Sequence, residues 1–314
     1  MKKIFATGIA IAMMFALTAC SGAVDNAKSA VDEYNAALAT YNEKTSAYND
    51  AAQQVIDANT NLEALIDGAQ EDFNKGEEPF DENTTTALKD AMTAAQEAKV
   101  ATPEKLKEYE ELTVDENAET SELKELSETA KTAVEEMNAV EVPEIPEIPD
   151  YTEVSTALSD AKVAYEDSVQ GLKQITAPSD DFIMDRLKRV ETITDMAPVT
   201  EDHDPNGHLG KQGGYIGCVY WEDSQVDRSN LYIESGDDVI DVGTDGGGAI
   251  EVFNTVDEAN ARNEELGIYD GTMFASGSHY VYGTIIIRTS NELSATQQTE
   301  LTENVLNALL AVDK

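Results

Sequence analysis

VDEYNAALATYNEKTSAYND, Val31 to Asp50, carries a tyrosine at every seventh position: Tyr34, Tyr41 and Tyr48. Followed both ways, the series becomes Ala27, Tyr34, Tyr41, Tyr48, Val55, Leu62 and Ala69. A second series three residues upstream reads Val24, Val31, Leu38, Thr45, Ala52, Asn59 and Ile66. Together they are the a and d positions of a heptad pattern, which predicts a helix from about Val24 to Asp67. At 1.5 Å per residue it would be ~65 Å long. Thr45 and Asn59 are polar a positions, a feature that fixes register at a cost in stability. Heptad spacing assigns the tyrosines to the core.

The chain around this stretch keeps the same grammar. Gly68 to Asp81 reads as a hairpin connection, and a returning helical segment is expected from Asn83 to Val140. A break falls at Thr102-Pro103, where Thr caps and Pro takes the first helical turn. Leu123, Ala130 and Met137, with Leu126, Ala133 and Val140, resume the heptad. Residues 142–150, VPEIPEIPD, place Pro143, Pro146 and Pro149 three apart, which favours a polyproline II spacer. Tyr151, Leu158, Tyr165 and Leu172, with Val154, Ala161 and Ile175, form a third heptad segment. Residues 20–177 therefore read as an all-α antiparallel helical bundle or coiled-coil stalk, similar to a spectrin-like stalk.

The composition changes at Pro178. Fourteen of the 19 glycines lie between Gly207 and Gly283, and all five arginines, all three histidines and the single Trp lie beyond Pro178. Residues 178–314 read as a compact α+β domain with a mostly antiparallel sheet, so the fold class of the whole chain is α+β. Helices are expected from Asp181 to Val190, from a Thr255 cap to about Leu266, and from a Ser294–Gln297 capping box to about Val312. Strands are expected at Gly214–Trp221, Asp238–Val242, Ala249–Phe253 and Tyr280–Thr289, with the glycines of Gly243–Gly248 joining the middle two as a hairpin.

Residues 1–19 read as a signal peptide: Lys2 and Lys3, then an apolar run of 14 residues from Ile4 to Leu17, too short to span a bilayer. The run closes on Leu17-Thr18-Ala19-Cys20, which resembles the lipobox of bacterial lipoproteins. That resemblance implies lipidation at Cys20, a membrane partner reached through the lipid, and an extracytoplasmic location. The formal charge is −41, and losing two lysines and no acid with Met1–Ala19 makes it −43. Such a charge excludes nucleic acid as a partner. Cys218 is then the only thiol, read as a small buried hydrophobe or as a reactive or interchain cysteine.

Candidate chemistry gathers in EDHDPNGH, Glu201 to His208. Asp202, Asp204 and Asn206 alternate ahead of Gly207, as in the first half of a calcium loop, but the twelfth position is Gly213 where that loop needs Glu. Asp-Pro-Asn-Gly at 204–207 equally matches a type I turn. Calcium at Asp202, Asp204 and Asn206 and a plain turn are the two readings. Zinc on His203, His208, His279 and Cys218 finds no recognised spacing. Asp245, His279 and Arg288 are candidates for one polar ligand pocket, with an Asp245–Arg288 ion pair as the structural alternative. DPNG (204–207), TDGGG (244–248), ASGSH (275–279) and RTS (288–290) resemble a C-terminal module of bacterial surface lipoproteins. The resemblance implies a surface setting and no particular activity. The function expected is a lipid-anchored surface protein whose stalk presents a binding domain to an envelope protein or polysaccharide. A surface hydrolase and a structural subunit of an envelope assembly are the alternatives.

Overall fold

The computed structural model describes residues 21–231, 233, 236–272 and 275–313. The signal segment and Cys20 lie outside the described residues. By their contacts the described elements group as 21–64 with Ala98–Thr152, and as Leu65–Glu97 with 153–313.

In the first group, α1 (Ser21–Phe73) follows the predicted heptads, and Ala27, Val31, Tyr34, Leu38, Tyr41, Tyr48, Val55 and Leu62 are all buried. The seam is filled differently from the expectation. α2 (Asn83–Ala98) ends early, and no helix resumes until α3 (Thr120–Ala139). The intervening chain runs back along α1 in extended form. Tyr48, Tyr41 and Tyr34 donate their hydroxyls to the carbonyls of Glu104, Lys107 and Glu110 at 2.9, 2.7 and 2.8 Å. Asn49 and Asn35 each make paired bonds to the backbone N–H and C=O of Leu106 and Leu112. One helical heptad, about 10.5 Å, is matched by three extended residues, about 9–10 Å. Pro103, Leu106, Tyr109 and Leu112 are accordingly half-buried while the residues between them are exposed, the period of polyproline II.

Asn59 has a different job from setting coiled-coil register. Its amide donates to the Val100 carbonyl and to Thr102 Oγ1, both at 3.0 Å. The Tyr151 hydroxyl donates to Asn59 Oδ1 at 2.7 Å and accepts from Val100 N. The two extended segments, 99–119 and 140–151, thus meet the helix at one buried amide. α3 runs beside α1 in the same direction: Lys28 pairs with Glu116 before it, and Lys44 donates to the Val140 carbonyl at its end.

In the second group, α4 (Thr152–Gln174) takes the α1–α2 connection on one side, through Tyr165 Oη to the Glu77 carbonyl and Phe80 N to the Ser168 carbonyl. Its last turns reach the C-terminal helix: Gln174 donates to the carbonyls of Leu309 and Ala311, and Gly171 lies against Leu310, where a Cβ would come within 3.2 Å. The composition changes at Pro178, but packing continues across it.

Beyond α4 come α5 (Asp180–Leu187), β1 (Ile193–Pro198), β2 (Gly217–Asp223), α6 (Val239–Val242), β3 (Gly247–Val252), α7 (Val256–Gly267), β4 (His279–Tyr282), β5 (Ile285–Thr289) and α8 (Ala295–Leu310). The strands form one antiparallel sheet in the order β1-β2-β3-β5-β4, confirming the α+β class. Alternation along the strands splits the core in two. Val219, Trp221, Ile250, Val252, Ile285 and Ile287 pack under α5 and α8. Cys218, Tyr220, Ala249 and Ile286 face α6, α7 and the aromatic rings of Tyr215 and Phe253. Thr255 and Ser294 cap α7 and α8 as expected.

Three local expectations are corrected. Asp238–Val242 is the cap and body of α6, because Asp238 and Asp241 close a capping box that the β-branched composition concealed. Tyr280–Thr289 is a hairpin, β4 and β5, turning at Gly283-Thr284. The glycines after α6 form a helical turn and not a hairpin loop. Gly248 is required by closeness: a Cβ there would lie 2.2 Å from the Trp221 ring and 2.3 Å from the Arg288 carbonyl.

Candidate functional site

The end of β5 is a hub. Arg288, fully enclosed between the sheet and α7, donates from Nη1 to Glu251 Oε1 at 2.6 Å and from Nη2 to Ser276 Oγ at 2.8 Å. Glu251, 0% exposed on β3, also receives Arg262 Nε from α7 at 3.0 Å. Burial alone would raise the Glu251 pKa; Arg288 and Arg262 outweigh it and hold the carboxyl below its ordinary range. Thr289 N donates to the Ser278 carbonyl, their hydroxyls lie 2.5 Å apart, and Ser290 Oγ donates to the Asp245 carbonyl at 2.7 Å. TDGGG, ASGSH and RTS are therefore stitched together around one strand end. Gly277 completes the stitch at φ +96°, where a Cβ would collide with the Thr289 carbonyl at 1.9 Å.

Of the expected pocket trio, the structure brings two together. His279 and Arg288 are register partners on β4 and β5. Arg288 has its ion pair with Glu251, while Asp245 joins the hub through its backbone carbonyl, and its carboxyl, whose pKa burial raises, lies within reach of the Arg288 charge. His279 does line a cleft of about 430 Å³ at the β4 edge, with Asp270, Ser278, Tyr280, Asn291 and Gln298 around it. Its ring is held on both sides, Nδ1 at 2.7 Å from Asn263 Oδ1 and Nε2 at 3.2 Å from Asp270 Oδ1. Of this cleft, the ASGSH stretch with Ser278 and His279 stood out in the sequence. The other walls come from the α7–β4 connection, the β5–α8 connection and α8, and no local spacing links them.

EDHDPNGH is a turn organised by Asp204. Its carboxylate accepts from Tyr215 Oη at 2.5 Å, Leu209 N at 2.7 Å and Asn206 N at 3.1 Å. Burial would raise its pKa, but these donors reverse the effect and lower it. The same bond, added to burial, drives the Tyr215 hydroxyl pKa far up. Asn206 donates to Tyr220 Oη at 2.8 Å, and Asp202 is exposed on the surface. Both Asp204 oxygens are thus engaged by protein donors. The metal-capable grouping in this region is another one: ligand atoms of His203, Asp238 and Asp241 lie within 4.8 Å of one another. There the imidazole spans two carboxylates, with Nε2 2.9 Å from Asp241 and Nδ1 3.6 Å from Asp238. His208 instead stacks on Tyr215, so the three histidines occupy three separate settings.

Cys218 is fully buried on β2, and burial, reinforced by the Glu251 charge, pushes its thiol pKa well up. That is the environment of a packed thiol and the reverse of what a thiolate nucleophile needs. Among the described residues no helix is long and apolar enough to cross a membrane. No protein-family model matches the chain, and no curated protein or solved structure matches it either.

Proposed function

We propose that this is a lipid-anchored extracytoplasmic binding protein whose α+β fold carries the ligand site in the cleft beside His279. The observation that carries the reading is the state of the reactive groups. Cys218 is buried and protonated, and Arg288 is spent on Glu251. His279, clasped by Asn263 and Asp270, is the chemistry-bearing group left facing the cleft. A cleft walled by fixed polar side chains is suited to hold a molecule. The LTAC sequence ending at Cys20 supports the lipid anchor.

The test uses the chain in its bacterial host and then purified. A fatty-acid label should enter the wild type and the chain should sediment with membranes; Cys20→Ala should lose the label and appear in the soluble fraction. Purified chain mixed with envelope polymer should co-sediment with it and release no soluble fragments. Fragment release abolished by His279→Ala would replace this reading with the hydrolase alternative. The subunit alternative draws on one feature, a cleft of about 720 Å³ between α1 and α2 floored by Ile66, Phe73 and Met92. Under it, Phe73→Ala would abolish capture by an envelope protein and leave polymer retention intact.

A further inference from the structure

Resting on the binding reading above, we infer that the β4-edge cleft takes a neutral carbohydrate, with one sugar ring lying on Tyr280. The lining sets the ligand class. Its described residues include one carboxylate, Asp270, and no Lys or Arg, within a chain of net charge −41, so phosphate, sulfate and uronate groups are repelled. Among the described lining residues the aliphatic surface amounts to Ala275 and the flanks of two glycines, too little to hold an acyl chain. What the described residues offer is hydrogen-bonding capacity and the exposed ring of Tyr280. Tyr280 is 48% exposed on the edge strand β4, at the wall of the cleft.

The polar groups are oriented as acceptors. Asn291 spends one amide N–H on the Ala275 carbonyl at 3.0 Å, and Gln298 spends one on the Leu293 carbonyl at 2.8 Å, leaving each a second N–H besides its oxygen. Each bond fixes its amide plane and leaves the side-chain oxygen available to accept. Asp270 keeps a second carboxylate oxygen beyond the one facing His279. Three preset acceptors match a ligand rich in hydroxyl donors, while the C–H face of a pyranose packs on the electron-rich face of the Tyr280 ring. The Glu251–Arg288–Ser276 network and the Ser278–Thr289 pair hold the cleft floor from below, so the site needs little ordering on binding.

The experiment measures binding of the full-length chain, in a detergent without a sugar headgroup, to immobilised oligomers of glucose, mannose and N-acetylglucosamine. Polygalacturonate serves as the anionic comparison. At least one neutral oligomer should bind, with polygalacturonate at least tenfold weaker. Tyr280→Ala should weaken binding about threefold to tenfold, as expected for losing one aromatic stacking contact. Tyr280→Phe should stay within about twofold, and Gln298→Ala should weaken binding severalfold. The two Tyr280 variants should unfold near the wild-type temperature, and Gln298→Ala, which loses its bond to the Leu293 carbonyl, slightly below it. The inference is overturned if no neutral oligomer binds, or if polygalacturonate binds more tightly than every neutral one. A neutral oligomer bound equally by wild type and Tyr280→Ala would overturn the stacking on Tyr280 while leaving the binding reading in place.

Discussion

Asp180 opens α5 and sits against β2 so closely that a Cβ on Gly217 would lie 2.6 Å from its Oδ1, a buried oxygen with no hydrogen-bond partner among the described residues. Burial, reinforced by the neighbouring Asp181 charge, pushes its pKa up to about 6. The folded state therefore keeps this proton to higher pH than the unfolded state does. Stability should fall as pH rises from about 4 to 6 and then level off. Asp180→Asn should flatten that slope and stabilise the protein above pH 7. A shift of about two units corresponds to at most ~3 kcal/mol, which solvent at a partly exposed carboxyl reduces to about 1–2 kcal/mol. Urea titrations of both proteins at pH 4.5 and 7.5 check this. Equal differences at the two pH values would show that Asp180 is not the titrating group.

At the level of elements, the ladder on α1 divides a repeat that looks uniform in sequence. Tyr-Asn occurs at 34–35, 41–42 and 48–49, but Asn35 and Asn49 bind extended backbone while Asn42 is exposed. At the middle rung the Tyr109 ring stands edge-on to Tyr41, with centroids 5.3 Å apart. Tyr41→Phe should cost about 1 kcal/mol and Asn49→Ala about 1–3 kcal/mol, since each strands backbone groups that were paired. Asn42→Ala should stay within about 0.5 kcal/mol. Urea unfolding followed by helical circular dichroism would rank the three. This ladder also marks where sequence reading ran short. The α1 helix and the caps at Thr255 and Ser294 were legible because their signals are local. Pro103, Leu106, Tyr109 and Leu112, three apart, satisfy helical and polyproline II spacing alike. The partner that decides between them lies 56 to 77 residues upstream. β1 escaped notice for a related reason: an edge strand pairs on one side only and needs no apolar alternation. The cleft was legible only along the ASGSH stretch, because its walls at Asp270, Asn291 and Gln298 meet it only after the sheet has formed.

For the whole molecule the governing quantity is charge: 62 acidic side chains against 21 basic ones. Ion pairs recruit many of the cations, including Lys162 between Asp72 and Glu166, Arg228 between Glu222 and Asp237, and Arg189 with Asp313. The excess of acid remains as self-repulsion in the folded state. Raising NaCl from about 0.01 M to 0.5 M shortens the screening length from ~30 Å to below 10 Å. The unfolding temperature should therefore rise by several degrees, although individual surface pairs weaken over the same range. A fall in a calorimetric scan would mean that the pairs outweigh the repulsion.

The matched spacing on α1 also bears on ancestry and length. Seven residues added to the helix and three added to the extended chain opposite would insert one more rung, and the segment on the other side of the helix, α3 or 140–151, would have to lengthen to match. Any other insertion in either segment would slide tyrosines past their carbonyls. Homologous chains of different size should thus differ here in matched steps, seven in α1 answered by three in each extended segment beside it and by seven in α3 where that helix lies alongside.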